Sequence, residues 1–301
     1  MPDIRGHDKP NGFVYTPRSI KSIPAGPAGM RRSDGAEKRF PTGARTAMPA
    51  ISSQSDFSER RLAFTCDGLR IEAVLHRPHT DAAPVVIGSH GLFSDGDSPK
   101  QLALAHALNE QGIAFLRLDH RGCGRSAGAF DAVTTLDGRV NDLVAAVGVL
   151  KGALGDPLCL GLFGSSLGGS TCLAAACELK PARMVTLAAP ADSRSLLARA
   201  RQAPSADLPP VFASDALQFD LSDRLAAIDN LLVIHGEADE VVPVAHARRI
   251  YAASREPKRL LINPGGDHRV TDPDHQQAFI QACRDWFAHL LTAPARKPPS
   301  C

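Results

Sequence analysis

The chain has 301 residues, enough to bury a sizeable core in one large α/β domain or in two smaller domains. Hydrophobic residues make up 44% of it and charged residues 22%, which is the balance of an ordinary globular protein. The formal net charge of +2 is unevenly distributed, because residues 1–50 carry nine Lys/Arg and four Asp/Glu while the remainder carries 25 and 28. A slightly acidic body implies no basic face for nucleic acid.

The seven cysteines form no C-x-x-C pair and show no spacing typical of a zinc site. Several lie in apolar segments, as small hydrophobic residues do in a reducing compartment. The N-terminus has no apolar run of the secretory type, and no apolar stretch reaches the roughly 18 residues that a membrane span needs. We therefore expect a cytoplasmic protein without a metal, a membrane partner or a nucleic-acid partner.

Residues 1–55 are rich in Pro, Gly, Ser, Arg and Lys and show no periodicity. Such a segment cannot bury enough apolar surface to offset its ordering entropy, so we predict a disordered basic extension. It could be a targeting arm, or an upstream extension with Met48 as the natural start. Residues 56–301 are predicted to form the folded domain.

A hairpin followed by alternating strands and helices is predicted from about residue 60. Asp67-Gly68 separates RLAFTC from LRIEAVLHRP, a strong signal for a β-hairpin. Buried strands are predicted from apolar runs at residues 84–89, 113–119, 158–163, 184–189, 231–236 and 259–263. The pattern predicts an α/β fold with one doubly wound, mostly parallel sheet covered on both faces.

Helices are expected between these strands. Ser98 is predicted as the N-cap of one helix, with Pro99 in its first turn. Apolar residues between 140 and 150 recur at helical spacing, and residues 276–291 form a closing amphipathic pattern. Residues 190–230 show no clear strand, which predicts a short cap, or lid, inserted at the carboxyl edge of the sheet.

The segment LCLGLFGSSLGGST contains three serines, and one of them is the candidate nucleophile. Only Ser166 has a glycine two positions before it and two after it, at Gly164 and Gly168, which gives the pattern G-x-S-x-G. A sharp strand-to-helix turn needs such small neighbours. Ser165 is expected to point elsewhere, and Ser170 to lie within the following helix and bond a backbone carbonyl.

A serine hydroxyl needs a base, and the base needs an acid that fixes its tautomer. His268, in INPGGDHRV, follows the last predicted strand and is the candidate base, against the alternative of a solvated loop histidine. Asp239, in HGEADEVVP, lies four residues beyond the strand that ends at His235 and is the candidate acid. A solvated acidic turn is its alternative interpretation, and Asp192 is the rival acid.

Preorganised donors must hold the oxyanion of a tetrahedral intermediate. The backbone N–H of Leu167, just after the nucleophile, is one candidate. The other is the N–H of Leu92 (or Phe93) in SHGLFSDG, where the preceding His90 is expected to orient the loop.

The order nucleophile, acid, base, each after a successive strand, resembles the α/β-hydrolase superfamily. The resemblance covers roughly residues 60–292 and rests on SHGLF, DHRGCGRS, GSSLGG, HGEADEVVP and GGDH. It implies that Asp119 and Arg121 hold the floor of the active site. The sequence is most similar to small bacterial carboxylesterases that include cinnamoyl or feruloyl esterases. It departs from many members in having Ser165 where they carry His, and in its shorter cap.

The resemblance and the residues together predict a serine hydrolase that cleaves carboxylic ester bonds of small or medium acyl substrates through an acyl-enzyme, without a cofactor. A peptidase or amidase on the same fold is the alternative, since the same three residues serve both. A non-catalytic relative would show a damaged triad, and a dienelactone-type hydrolase would normally show Cys as nucleophile. The oligomeric state is left open.

Overall fold

A computed structural model describes residues 57–79, 83–154, 158–194 and 217–292, and one eight-stranded sheet is its central feature. The strands are β1 (Phe57–Cys66), β2 (Leu69–Pro78), β3 (Val85–Ser89), β4 (Ala114–Asp119), β5 (Leu160–Ser165), β6 (Arg183–Leu187), β7 (Leu231–Gly236) and β8 (Lys258–Asn263).

The sheet is mostly parallel. Its spatial order is β1-β2-β4-β3-β5-β6-β7-β8. β1 pairs with β2 and β2 with β4 in antiparallel register, and every other neighbouring pair is parallel. The predicted α/β class, the N-terminal hairpin and the mostly parallel sheet are confirmed.

Helices follow most of the strands, and those over residues 99–109, 136–154, 167–179 and 273–288 lie at the predicted places. The helices are α1 (Pro99–Asn109), α2 (Phe130–Val133), α3 (Leu136–Leu154), α4 (Leu167–Leu179), α5 (Ser222–Leu225), α6 (Ala245–Ala253) and α7 (Pro273–Ala288). Ser98 does occupy the N-cap position of α1, but its side chain makes no capping hydrogen bond, so that detail of the prediction is wrong. Side-chain caps form at two other helices: Asp272 accepts from the backbone N–H groups of Asp274 and His275 at the start of α7, and Thr135 Oγ1 accepts from the N–H of Gly138 at the start of α3.

The two faces of the sheet carry separate apolar clusters, because side chains alternate along each strand. In β4, Leu116 and Leu118 point to the cluster shared with α3 and α4, whereas Phe115 points to the cluster shared with α1 and α7. Every residue of β3, β4, β5 and β7 is buried, as expected for strands covered on both sides. Each fully buried Leu or Phe contributes roughly 1.5–3 kcal/mol.

The order of the strands determines where a site can form. β3 lies between β4 and β5. The chain passes from β3 to β4 on one side of it, and β5 then lies on the other side. A crevice forms at such a reversal, beyond the carboxyl ends of the strands. The loops that carry the predicted site residues follow β3, β5, β7 and β8 at this edge.

Two predicted segments lie largely outside the described residues. The basic extension over residues 1–55 falls wholly outside them, and so do residues 195–216 of the predicted cap over 190–230. At the margins of that cap, Asp192 and Asp220 form an antiparallel bridge, and α5 follows it.

Candidate active site

Ser166 lies on a sharp turn between β5 and α4. Its backbone has φ 54° and ψ −125°, a left-handed conformation that costs a residue with a side chain about 1–3 kcal/mol. The Ser166 N–H donates to the carbonyl of Leu187 at 2.8 Å, which holds the turn against β6. The strained backbone projects the side chain beyond the carboxyl edge of the sheet.

The glycines of the G-x-S-x-G pattern are required by close backbone contacts. A Cβ on Gly164 would lie 2.3 Å from the carbonyl oxygen of Gly168. A Cβ on Gly168 would lie 2.1 Å from the carbonyl oxygen of Ser89, at the end of β3. The turn can therefore close only with glycine at both positions.

The three side chains predicted from the sequence form one hydrogen-bonded row. His268 Nε2 lies 3.2 Å from Ser166 Oγ, and His268 Nδ1 lies 2.8 Å from Asp239 Oδ2. Because a carboxylate only accepts, Nδ1 carries the proton and Nε2 faces the hydroxyl with its lone pair. The Asp239 side chain is fully buried and the His268 side chain is 15% exposed. The arrangement is one in which a hydroxyl can lose its proton to an oriented imidazole.

Asp239 is fixed by more than His268. Its Oδ1 accepts from the backbone N–H groups of Val241 (2.9 Å) and Val242 (2.7 Å). Its Oδ2 lies 3.3 Å from Nε2 of the buried His235, which also bonds the Val242 carbonyl. Burial alone would raise the pKa of the Asp239 carboxyl, but the hydrogen bonds from His235 and His268 hold it well below its ordinary value. The acid is therefore a carboxylate at neutral pH.

The loop that carries His268 is anchored on two sides. The His268 N–H donates to Glu240 Oε2 at 3.1 Å, and Lys100 Nζ donates to the carbonyl of Arg269 at 3.3 Å. Burial lowers the pKa of Lys100 to about 8. These contacts tie the histidine loop to the acid loop and to the start of α1.

The alternative residues weighed from the sequence have other partners. Asp192, the rival acid, accepts from Arg249 Nη2 at 2.6 Å. Ser165 is the last residue of β5 and is buried. Ser170 donates to the carbonyl of Pro190 at 2.6 Å, which is a backbone carbonyl as predicted.

The predicted oxyanion donors lie on either side of Ser166. Leu167 is the first residue of α4, so its N–H has no partner within the helix. The loop after β3 approaches from the other side, because a Cβ on Gly91 would be 3.5 Å from Ser166 Cβ. Leu92 follows Gly91 and packs partly buried against the core. The loop after β3 and the start of α4 therefore both lie next to Ser166, and the role of their N–H groups as oxyanion donors stays a prediction.

Asp119 and Arg121 make hydrogen bonds that join separate segments of the chain. Asp119 accepts from the N–H groups of Gly96 (2.7 Å) and Arg125 (2.9 Å), which ties two loops together. Arg121 makes two bonds to Asp142 Oδ1, from Nε at 3.0 Å and Nη2 at 2.9 Å. Both residues tie neighbouring segments together, and their role in holding the floor of the active site stays an expectation from the resemblance.

A second Ser-His-Asp row, not predicted from the sequence, lies beneath the loop after β3. Ser89 Oγ is 2.8 Å from His120 Nε2, and His120 Nδ1 is 3.2 Å from Asp142 Oδ2. All three side chains are buried, so no substrate can reach this serine. Ser89 in SHG and His120 in DHRG were visible in the sequence, but only the fold shows that they meet.

No group of three or more His, Cys, Asp or Glu side chains that could hold a metal occurs in the described part of the chain. Within those same residues, no helix combines the length and apolar character that crossing a bilayer requires.

Two family models match successive parts of the chain. One is described as "Serine aminopeptidase, S33" and matches residues 80–207, and one as "Prolyl oligopeptidase family" and matches residues 208–293. Among related sequences, the uncharacterized protein Rv2307c of Mycobacterium tuberculosis is 30% identical over 233 residues, which is 75% of this chain and 77% of that protein. YfhR of Escherichia coli K12 is 29% identical over 252 residues, or 80% of this chain and 84% of that protein.

The same fold also occurs in a solved structure of low sequence identity. Est1E from Butyrivibrio proteoclasticus, solved with ferulic acid bound, has a TM-score of 0.64 at 22% identity and covers 77% of this chain and 100% of its own. The strand order, the strained serine turn and these relatives all indicate the same family. The chain therefore belongs to the α/β-hydrolase superfamily of serine hydrolases.

Proposed function

We propose that the protein hydrolyses carboxylic esters of small or medium acyl groups, with Ser166, His268 and Asp239 as its catalytic residues. The observation that carries this proposal is the row of hydrogen bonds from Ser166 Oγ through His268 to Asp239, at 3.2 and 2.8 Å. The proposed oxyanion donors are the backbone N–H groups of Leu167, at the start of α4, and of Leu92, in the loop after β3.

In the proposed reaction, Ser166 Oγ attacks the ester carbonyl carbon while His268 Nε2 accepts the hydroxyl proton. The carbonyl oxygen becomes an oxyanion, which the N–H groups of Leu167 and Leu92 stabilise. The tetrahedral intermediate expels the alcohol, which takes its proton from His268, and leaves an acyl group on Ser166. Water then repeats the sequence, releasing the carboxylic acid and restoring the hydroxyl.

An ester is favoured as the substrate by the solved structures of similar fold. The esterase domain from Rhodothermus marinus and the Pyrococcus furiosus esterase Pf2001 are both named as esterases, and Est1E was solved with ferulic acid bound. The names of the matching family models favour the second candidate, hydrolysis of a peptide or amide bond. The three catalytic side chains serve both reactions equally, because the leaving group is selected by the pocket around them.

A fluorophosphonate probe tests the site directly. We expect one covalent adduct per chain, and peptide mapping should place it on Ser166. Ser166→Ala should abolish labelling and lower turnover by about 10⁵- to 10⁶-fold without unfolding the protein. Ser165→Ala, on the adjacent residue, is the matched control and should still be labelled. Labelling at Ser165, or full turnover in Ser166→Ala, would refute the proposed mechanism.

Parallel assays decide between the two substrates. A chain-length series of p-nitrophenyl esters releases p-nitrophenol, and a panel of aminoacyl p-nitroanilides releases p-nitroaniline. Both products are coloured, so kcat/KM is obtained for each series with the extinction coefficient of its own product. The proposal expects ester hydrolysis with a preference for short to medium acyl chains. Faster release from the anilides would replace the esterase with a peptidase on the same three residues.

A further inference from the structure

A fully buried arginine lies directly beneath the loop that follows β3. Arg139, on α3, has 0% relative exposure, and its Nη2 donates a hydrogen bond to the carbonyl oxygen of His90. Burial lowers the pKa of the guanidinium to about 10, so it is still a cation at neutral pH. A charge in this position is expensive for folding, because taking an ion out of water costs several kcal/mol.

Arg139 receives little in return for that cost. Its Nε and Nη1 have no hydrogen-bond partner among the residues that the structure describes, and the other side-chain contact of the guanidinium is with the Cys123 thiol, which raises the pKa of Arg139 only in part against burial. Asp142, the carboxylate that acts on it, accepts hydrogen bonds from Arg121 and His120 instead. A contribution to stability therefore does not explain the buried guanidinium. Its hydrogen bond to the His90 carbonyl is the contact that remains to be explained.

The ring of His90 fixes the next peptide group of the same loop. The backbone N–H of His120 donates to His90 Nε2 at 3.0 Å, so that nitrogen is an acceptor. The proton must then be on Nδ1, which lies 2.7 Å from the Gly91 carbonyl oxygen and donates to it. Burial holds the pKa of His90 well below its ordinary value, which agrees with a neutral ring.

These two anchors determine where the loop N–H groups point. In a trans peptide the C=O and the following N–H point in opposite directions. The Gly91 carbonyl is turned toward the His90 ring, so the N–H of Leu92 is turned away from it. Because Gly91 lies against Ser166, a flip of this peptide would present a carbonyl oxygen, rather than a donor, to the developing oxyanion.

We propose that Arg139 is a positioning residue for the oxyanion hole. By donating to the His90 carbonyl, Arg139 keeps the Leu92 N–H directed at the substrate carbonyl. This inference rests on the proposed function, because it assigns a role in stabilising the oxyanion. Arg139 does not touch the substrate. Its effect passes through His90 to the peptide between Gly91 and Leu92.

Arg139→Met tests the proposal, because replacing a buried ion with an apolar side chain of similar volume is often neutral for stability. We expect kcat for a p-nitrophenyl ester to fall about 10- to 100-fold while KM changes by less than about threefold. The affinity of an alkyl boronic acid, whose tetrahedral adduct with serine places an oxygen in the oxyanion hole, should fall in parallel with kcat/KM. Arg139→Lys, which keeps a cationic donor, should recover part of the loss.

Matched controls separate this role from general damage. Lys151→Met removes a cation from the other end of α3 and should leave both measurements unchanged. If Arg139→Met does not fold, the His90 pair decides: His90→Asn keeps a donor near the Gly91 carbonyl and should retain more turnover than His90→Leu.

Wild-type turnover in a folded Arg139→Met, or equal losses of substrate binding and boronate binding, would overturn the inference. So would equal turnover in His90→Asn and His90→Leu. The proposed function is checked separately in the wild-type protein, by ester hydrolysis and by probe labelling at Ser166. If those succeed while the Arg139 variants behave as wild type, only this inference fails, and if they fail, both do.

Discussion

Gly168 is where the packing of the serine turn can be tested by one added methyl group. A Cβ at this position would lie 2.1 Å from the carbonyl oxygen of Ser89 and 2.6 Å from that of His90. Both atoms belong to the backbone, so no side-chain rotation can make room. Since carbon and oxygen atoms rarely approach closer than about 3.3 Å, the start of α4 must move by about 1 Å away from β3 in Gly168→Ala.

A displacement of this size should affect both activity and stability. The N–H of Leu167 and the hydroxyl of Ser166 move with the helix start, and a 1 Å misplacement of reacting groups lowers rates by about 100-fold. The strain of fitting a methyl group into a close-packed contact should lower the free energy of unfolding by about 1–3 kcal/mol. The measurements are kcat/KM for a p-nitrophenyl ester and urea unfolding followed by circular dichroism.

Gly148→Ala is the matched control. Gly148 lies in α3, is exposed, and a Cβ there meets nothing within 4 Å. This substitution should raise stability by about 0.5–1 kcal/mol, because alanine restricts the unfolded chain and favours the helix, and it should leave the rate unchanged. If Gly168→Ala matched the wild-type protein in rate and stability, the contact between α4 and the end of β3 would be wrong.

Three further predictions test the site and its support. Asp239→Asn should lower turnover about 10⁴-fold, because it imposes the wrong tautomer on His268. Asp192→Asn should keep turnover within a few-fold of wild type, and a larger loss in Asp192→Asn than in Asp239→Asn would reassign the acid. Glu240→Ala should lower kcat by about three- to tenfold, because the His268 N–H loses its acceptor. Glu240→Gln keeps an acceptor and should restore most of the lost kcat. Equal kcat values in the two variants would show that Glu240 does not anchor the His268 backbone. Although burial alone would raise it, hydrogen bonds hold the pKa of Asp142 at about 2, below its ordinary 3.8. That depressed value contributes on the order of 2 kcal/mol above about pH 4 and is lost as the pH falls toward 2, so the stability gap between wild type and Asp142→Asn should narrow over that interval in urea titrations; a constant gap would contradict it.

The strands and the main helices could be predicted because their apolar patterns are dense. In a chain that alternates them with helical patterns, apolar runs such as PVVIGS and LLVIHG form buried strands of a parallel sheet. The candidate site residues were predictable because each follows a strand, and parallel strands bring their carboxyl ends to one edge. The structure brings Ser166, His268 and Asp239 together as the sequence analysis expected, although their catalytic roles stay proposals.

The buried polar network could not be predicted in the same way. Arg139 and Asp142 lie on the helix whose apolar residues predicted α3, and a one-dimensional pattern assigns its charged residues to solvent. They are buried because α3 packs where the ends of β3 and β4 supply hydrogen-bond partners, which depends on the complete fold. Ser98 shows the same limit locally, since its sequence favours a cap that the side chain does not make.

The two outermost strands of the sheet have a consequence for how the protein behaves at high concentration. β1 carries exposed charges at Glu59, Arg60 and Arg61, and β8 begins with Lys258 and an exposed Arg259. Strands at the margin of a sheet can template pairing with a strand from another molecule, and charges along them, lysine above all, oppose that pairing. The charged residues of β1 and β8 therefore flank the buried apolar strands of the sheet and oppose amyloid-like association.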